Sequence, residues 1–235
     1  MSTPAVINVG FVLYPDCTLL DFAGATQIFA FTGVFKPIWI AADLAPIPTT
    51  EGVTVNPGAT FDDHPPLSIV FVPGGGSGVG KAMLDPKLQG WLKQVTPQAN
   101  WVGSVCTGAF ILAASGALDG CEVTTYWSAR PALQLFPTLT VVPGYPRWHV
   151  DELRHRFSGG GISSSLDLAL RLVELIGGVE MARTTQLANQ YAPHPPLDSG
   201  DPAEASPELV ISLTQSQAAF TASLVDATNQ VLAQS

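Results

Sequence analysis

The chain is poor in basic residues, poor in cysteine, and without any long apolar run. Ten Lys plus Arg stand against nineteen Asp plus Glu, for a net charge of −9. The ten cations are scattered, leaving no basic surface to neutralise phosphates, and this excludes a nucleic-acid binding role. Three cysteines, Cys17, Cys106 and Cys121, are too few and too irregularly spaced for a disulfide framework or a tetrahedral zinc site, so no metal is expected. The first apolar stretch is interrupted by Pro15 and Asp16, far short of the ~20 residues of a membrane span, and no cationic run precedes it. A cytoplasmic protein is the expectation.

What is abundant is packing material. Hydrophobic residues make up 46% of the 235 positions and charged residues 12%, so the chain must fold around a substantial core. Short β-branched runs ending in Gly, Pro or Asp alternate with amphipathic stretches, the pattern of a mostly parallel sheet covered by helices. Core strands are predicted over 7–14, 37–42, 67–72, 100–105 and 138–142, with edge hairpins at 53–61 and 149–157. Helices are predicted over 18–31, 78–95 (broken near Asp85-Pro86), 107–118, 128–136 and 162–176, the last stopped by Gly177 and Gly178. After Tyr191 a Pro, Ala, Ser and Asp-rich stretch reads as a linker. A final helix from about Pro207 is expected to dock on the body or on a partner subunit. The expected organisation is a catalytic domain over 1–195 followed by this linker and helix over 196–235.

One cysteine sits where chemistry is done. In WVGSVCTGAFILAA, Cys106 ends an apolar strand and precedes a helix, with small Ser104, Thr107 and Gly108 allowing a sharp turn. The N–H groups of Thr107 and Gly108 and the helix N-terminus are expected to lower the thiol pKa from ~8.5 into the range of about 3.5 to 7.5. The competing reading is a small buried hydrophobe filling the turn. Cys17 and Cys121 lack this context.

A nucleophilic thiol needs a proton partner. None of the four histidines lies in a motif beside the sulfur, though the fold is able to bring His149 or His155 near. Asp21, enclosed by Leu19, Leu20 and Phe22 just after the first strand, is the better candidate, because carboxyl ends of parallel strands share one crevice. Thr18 and Asp21 also fit a capping box, which is its structural alternative.

The glycine-rich stretch VFVPGGGSGVGKA fails both nucleotide patterns. The dinucleotide spacing meets Val79 or Lys81 at its last position, and the phosphate-loop spacing from Gly75 to Lys81 is followed by Ala82 in place of Ser or Thr. Gly75 and Gly76 are instead read as N–H donors to charge on a bound substrate, the alternative being a turn that needs backbone freedom. Tyr126, Trp127 and Trp148 are candidates to line an apolar pocket, or equally to serve in the core or at a dimer interface.

Together, Asp21 in LLDFAG, the Pro73 to Gly76 loop, SVCTGAF, TTYW at 124–127 and SGGGISSSLD at 158–167 resemble the ThiJ/PfpI superfamily over about residues 5–195. The Cys-Thr-Gly turn combined with that aspartate is most similar to the isocyanide hydratases. The resemblance implies a flavodoxin-like homodimer with helices on both sheet faces and no metal or organic cofactor. It implies hydration of an organic isocyanide to an N-substituted formamide, with Cys106 as nucleophile, Asp21 as proton donor and base, and Thr107 tuning the sulfur through a bond to it or to Asp21. Relatives with peptidase-like or deglycase-like activity carry a histidine after the cysteine or on the neighbouring loop. Here Thr107, Tyr126 and Trp127 occupy those places. A glyoxalase-like enzyme acting on α-oxoaldehydes and a redox or ligand sensor are the alternatives.

Overall fold

A computed structural model describes residues 6–234. The chain begins with β1 (Ile7–Val12), whose last four residues are fully buried, followed by α1 (Leu19–Ala30) and β2 (Phe35–Ala41). Short strands β3 (Ile47–Pro48), β4 (Thr54–Val55) and β5 (Ala59–Thr60) lead to β6 (Ile69–Val72). Next come α2 (Gly78–Leu84), α3 (Pro86–Val95), β7 (Trp101–Ser104) and α4 (Gly108–Ala114). Asp85 separates α2 from α3 because its side chain accepts the N–H groups of Lys87 and Leu88, and Pro86 opens the new helix.

Short β8 (Glu122–Val123), a 3-10 turn (Trp127–Ala129), α5 (Arg130–Leu133) and β9 (Thr140–Val141) follow. The body closes with β10 (Trp148–Asp151), β11 (Arg156–Gly159), α6 (Ser164–Gly177) and α7 (Val179–Ala188). A mostly exposed segment then joins α8 (Pro207–Ser216) and α9 (Ala218–Gln234).

The main sheet runs β10-β11-β7-β6-β1-β2-β5, parallel throughout except for β10. Strand order reverses direction around β1, so right-handed crossovers send α1 to one face and α2 to α4 to the other. Accordingly α1 packs on α6, while α2 packs on α4 and on α9. The result is the flavodoxin-like α/β architecture.

Three aromatic residues from non-adjacent positions tie the sheet together. Phe71 of β6 and Phe157 of β11 both pair with Gly103 of β7, and their rings meet at 5.4 Å across it. A Cβ at Gly103 would collide with the Phe157 carbonyl and ring. Glycine here is a packing requirement. Phe71 also touches Phe11 of β1 at 5.0 Å, extending the apolar layer beneath α1.

Several sequence expectations need correction. Residues 138–142 give no core strand: β9 pairs only with β8 in a separate two-stranded sheet, between Pro137 and Pro143. The place beside β7 belongs to β11, the inner strand of the hairpin foreseen at 149–157. Residues 53–61 are not a hairpin. Here β4 pairs with β3, Pro57 and Gly58 break the run, and β5 joins β2 in parallel. The helices predicted over 107–118 and 128–136 are shorter, and α7 was hidden behind the Gly177-Gly178 stop. Gly178, at φ 91°, ends α6 and starts α7 at once. The single C-terminal helix is two, and α9 buries Leu224, Ala227 and Thr228.

Candidate active site

The adjacent strands β1, β6 and β7 release their chains at one sheet edge, and each contributes a loop to the site. Cys106 follows β7 directly and holds φ 55°, a left-handed conformation rare for a side-chain-bearing residue. Two bonds fix that turn. Cys106 N–H donates to the Gly159 carbonyl at 3.1 Å, and the Thr125 hydroxyl donates to the Cys106 carbonyl at 2.7 Å. The residue is 6% exposed.

Asp21 lies in the first turn of α1, completely buried. The capping-box alternative fails, since Thr18 makes no side-chain cap bond. Instead Glu51 reaches across from the β3–β4 loop, and its carboxylate accepts the Leu19 N–H at 3.0 Å. Asp21 is thereby left for the site. Its Oδ2 accepts the Gly74 N–H at 2.7 Å, while Oδ1 has no hydrogen-bond partner among the described residues.

Gly74 connects Asp21 with the cysteine turn. A Cβ there would lie 2.6 Å from the Thr107 nitrogen, 2.7 Å from the Thr107 hydroxyl and 2.8 Å from Cys106 Cβ. The loop after β6 is thus pressed against the cysteine turn on one side and bonded to Asp21 on the other. Only glycine permits that approach.

The neighbouring glycines do not serve as the anion donors expected of them. Gly75 N–H donates to the Thr107 hydroxyl at 3.1 Å, Gly76 N–H to the Asp16 carbonyl at 3.0 Å, and Gly108 N–H to the Val105 carbonyl at 3.0 Å. Two of them, Gly75 and Gly108, are also required by close backbone packing. A Cβ at Gly75 would strike the Asp16 carbonyl, and one at Gly108 the Val72 carbonyl. Thr107 follows the cysteine directly, and its N–H and hydroxyl both favour the anionic sulfur. That hydroxyl donates to the Gly75 carbonyl at 3.3 Å.

The electrostatics also differ from the sequence expectation. Burial pushes the Cys106 thiol well above its ordinary range, and the adjacent Asp21 charge adds to this; the two Thr107 bonds act downward. Burial likewise raises the Asp21 carboxyl, against the Gly74 bond and with the help of Glu51. Helix α4 has only seven residues, and the Gly108 amide that was expected to favour the anion is already committed. Desolvation therefore prevails over the helix end. The pair resists losing both protons, because two anions against one glycine repel in a low-dielectric setting. Tyr14, whose hydroxyl donates to the Pro73 carbonyl at 2.9 Å, and Cys17, pushed up to about 11 mainly by burial, enclose the same region as protonated groups.

The histidines are occupied elsewhere. His155 stacks on Trp101 at 4.6 Å, at the far end of β7 from Cys106. His149 faces Glu122 at 3.6 Å, and His64 accepts the Trp91 indole N–H at 3.0 Å. His194 lies in the exposed segment before α8. Tyr126 and Trp127 adjoin Thr125, with ring centroids 5.9 Å apart, and both are half-buried. Trp148, 39% exposed with Arg171 over its ring, pairs across the β10–β11 hairpin with Gly159. Sequence reasoning missed Gly74, Thr125, Gly159 and Glu51. The first carried a signal in its triple-glycine context, whereas Gly159 acts through its carbonyl, and Thr125 and Glu51 through side chains that meet residues 19 and 32 positions away.

No group of His, Cys, Asp or Glu among the described residues is arranged to hold a metal ion. No helix among them is long and apolar enough to cross a membrane.

Comparison with known proteins agrees with this fold. The DJ-1/PfpI family matches over residues 8–141. The isonitrile hydratase of Pseudomonas putida is 36% identical over 213 residues, covering 91% of this chain and 90% of that one. The transcriptional regulator GbdR of Pseudomonas aeruginosa is 25% identical over 182 residues, but only 48% of it is covered. Among solved structures, a ThiJ/PfpI family protein from Pseudomonas syringae superposes with a TM-score of 0.89 at 29% identity, over 96% of this chain and 91% of that one. Drosophila melanogaster DJ-1beta shares the fold at a TM-score of 0.70 and 18% identity, over 80% of this chain and 100% of that one. With its central strands, cysteine turn and glycine loop all inside the matched span, this chain belongs to the DJ-1/PfpI family.

Proposed function

We propose that the protein is an isocyanide hydratase, converting organic isocyanides to N-substituted formamides. One observation carries the reading: Asp21 and Cys106 are both buried and meet on opposite sides of Gly74, with no histidine beside either. The extended similarity to an isonitrile hydratase supports the same chemistry.

The reactive state is the pair holding one proton, as thiolate and carboxylic acid. The thiolate adds to the terminal isocyanide carbon as Asp21 gives that carbon its proton, forming a thioimidate on Cys106 and leaving a carboxylate. Asp21 then takes a proton from water and passes it to the substrate nitrogen while hydroxide bonds to the same carbon. Collapse of this adduct breaks the C–S bond, returns the hydroxyl proton to Asp21 and releases the formamide. Every proton taken is given back. The raised Asp21 pKa suits this part, since the acid must be protonated near neutral pH to act. The N–H and hydroxyl of Thr107 stabilise the thiolate, on departure as on attack.

The substrate is a small organic molecule, and the chemistry uses no cofactor. A cytoplasmic location fits three cysteines that are all free. A homodimer fits an α8 that buries no side chain and exposes Leu209 and Ile211. Residues 1–195 form the catalytic unit in this reading, with 196–235 as its C-terminal extension.

Incubation with an aryl isocyanide, following the formamide, and in parallel with methylglyoxal, following lactate, tests the assignment. Formamide without lactate is the expected result. Lactate alone would replace it with the α-oxoaldehyde reading.

A further inference from the structure

We propose that Gln217, the single residue between α8 and α9, is a positioning residue for the substrate wall and acts through Tyr126. This inference rests on the functional reading above and extends it to the C-terminal segment. The link runs over a long sequence distance. Gln217 Nε2 donates to the Tyr126 hydroxyl at 2.9 Å, and its Oε1 accepts the Ser128 hydroxyl at 2.7 Å, residues 91 and 89 positions away. Both ends of one amide are therefore used on the same short segment.

That segment is the one that holds the nucleophile. Thr125, which bonds the Cys106 carbonyl, immediately precedes Tyr126. On the other side, Gly159 accepts the Cys106 N–H, and two residues later the Tyr126 ring stands 3.7 Å from where a Gly161 Cβ would be. Tyr126 thus closes the space between the two chain segments that grip Cys106.

A half-buried tyrosine ring keeps one orientation only if its hydroxyl is tied, and Gln217 is a rigid anchor for it. Helix α9 is fixed by its buried Leu224, Ala227 and Thr228 and by packing on α2. Gln217 carries that rigidity to the ring, so the helical extension shapes the pocket while touching no reacting atom. A fixed aromatic wall contributes contact equally to bound substrate and transition state. Losing it raises KM and leaves kcat little changed. The effect falls on substrates bulky enough to reach the ring.

The test compares n-butyl with cyclohexyl isocyanide in wild type, Gln217→Leu, Gln217→Glu, Tyr126→Phe and the Tyr126→Phe/Gln217→Leu double variant. Gln217→Leu is expected to raise KM for the cyclohexyl substrate about tenfold, a change typical of lost apolar contact, with kcat within about twofold. Glutamate, which accepts from both hydroxyls, should recover most of that loss. Tyr126→Phe should match Gln217→Leu, and the double variant should add nothing further. Unchanged KM for both substrates overturns the proposal. So does an equal rise for both that accompanies a lower Tm and is not rescued by glutamate, since that is loss of folding alone.

If wild type makes no formamide from either isocyanide, the functional reading fails while this one stays testable. Alkylation of Cys106 by N-cyclohexylmaleimide relative to N-methylmaleimide then serves as readout. An altered ratio in Gln217→Leu supports the proposal, and an unchanged ratio overturns it.

Discussion

Gly74 gives its N–H to Asp21 at 2.7 Å while its α-carbon faces the Cys106–Thr107 turn, so a residue with no side chain sets the separation of the two groups proposed to react. Gly74→Ala must push back either the Thr107 nitrogen or Cys106 Cβ, neither of them the free end of a flexible chain. We expect a loss of about 1–3 kcal/mol in stability, as for other overpacked sites. A fall in kcat/KM of at least about a hundredfold should accompany it, because displacements of about 1 Å at reacting groups cost that much. Urea unfolding and steady-state kinetics measure the two.

Asp21→Asn should abolish turnover and change the pH dependence of stability. Burial raises the folded pKa of Asp21 above its unfolded value near ~3.9, so the folded state binds more protons between the two. The contribution of Asp21 is complete below about pH 3.9 and is lost as pH rises through the raised folded value. The variant lacks this loss. Its stability relative to wild type should therefore improve from pH 4 toward pH 8 in urea titrations, and a constant difference would speak against a buried, raised carboxyl.

Glu51 adds negative charge next to Asp21 and is one cause of its raised pKa. Glu51→Gln keeps an oxygen for the Leu19 N–H and removes the charge. The acid limb of the pH profile of kcat/KM should move to lower pH, with the alkaline limb shifting less. Glu51→Ala should give the same displacement together with a lower Tm, from the lost helix cap.

Gly103→Ala separates fold from chemistry. The new methyl group meets the Phe157 carbonyl and ring in the middle of the sheet. Stability should fall by about 1–3 kcal/mol or more, measured by urea unfolding. Folded protein should retain the reactivity of Cys106 toward small alkylating reagents within a few-fold.

Much of this was legible in the sequence because local and global signals agree. Continuous apolar runs marked β1, β2, β6 and β7, and the Asp85-Pro86 break marked the α2–α3 junction. Cys106 stood out because a strand, a cysteine and small residues before a helix imply a strained turn, now seen as φ 55°. What the sequence concealed depends on tertiary contacts. The run at 138–142 has strand composition, yet β11 takes the position beside β7. The amides of Gly75, Gly76 and Gly108 are spent on the Thr107 hydroxyl and on backbone carbonyls, which spacing does not reveal. Glu51 and Gln217 act on residues 32 and 91 positions away. The thiol environment was misjudged because a helix end is visible in sequence and desolvation is not.

The proposed chemistry stands or falls with Cys106 as the nucleophile. Formamide production from an aryl isocyanide by Cys106→Ala, measured beside wild type after circular dichroism establishes equal folding, tests it most directly. No formamide above the rate without protein is expected, and turnover at the wild-type rate would rule out a nucleophilic Cys106.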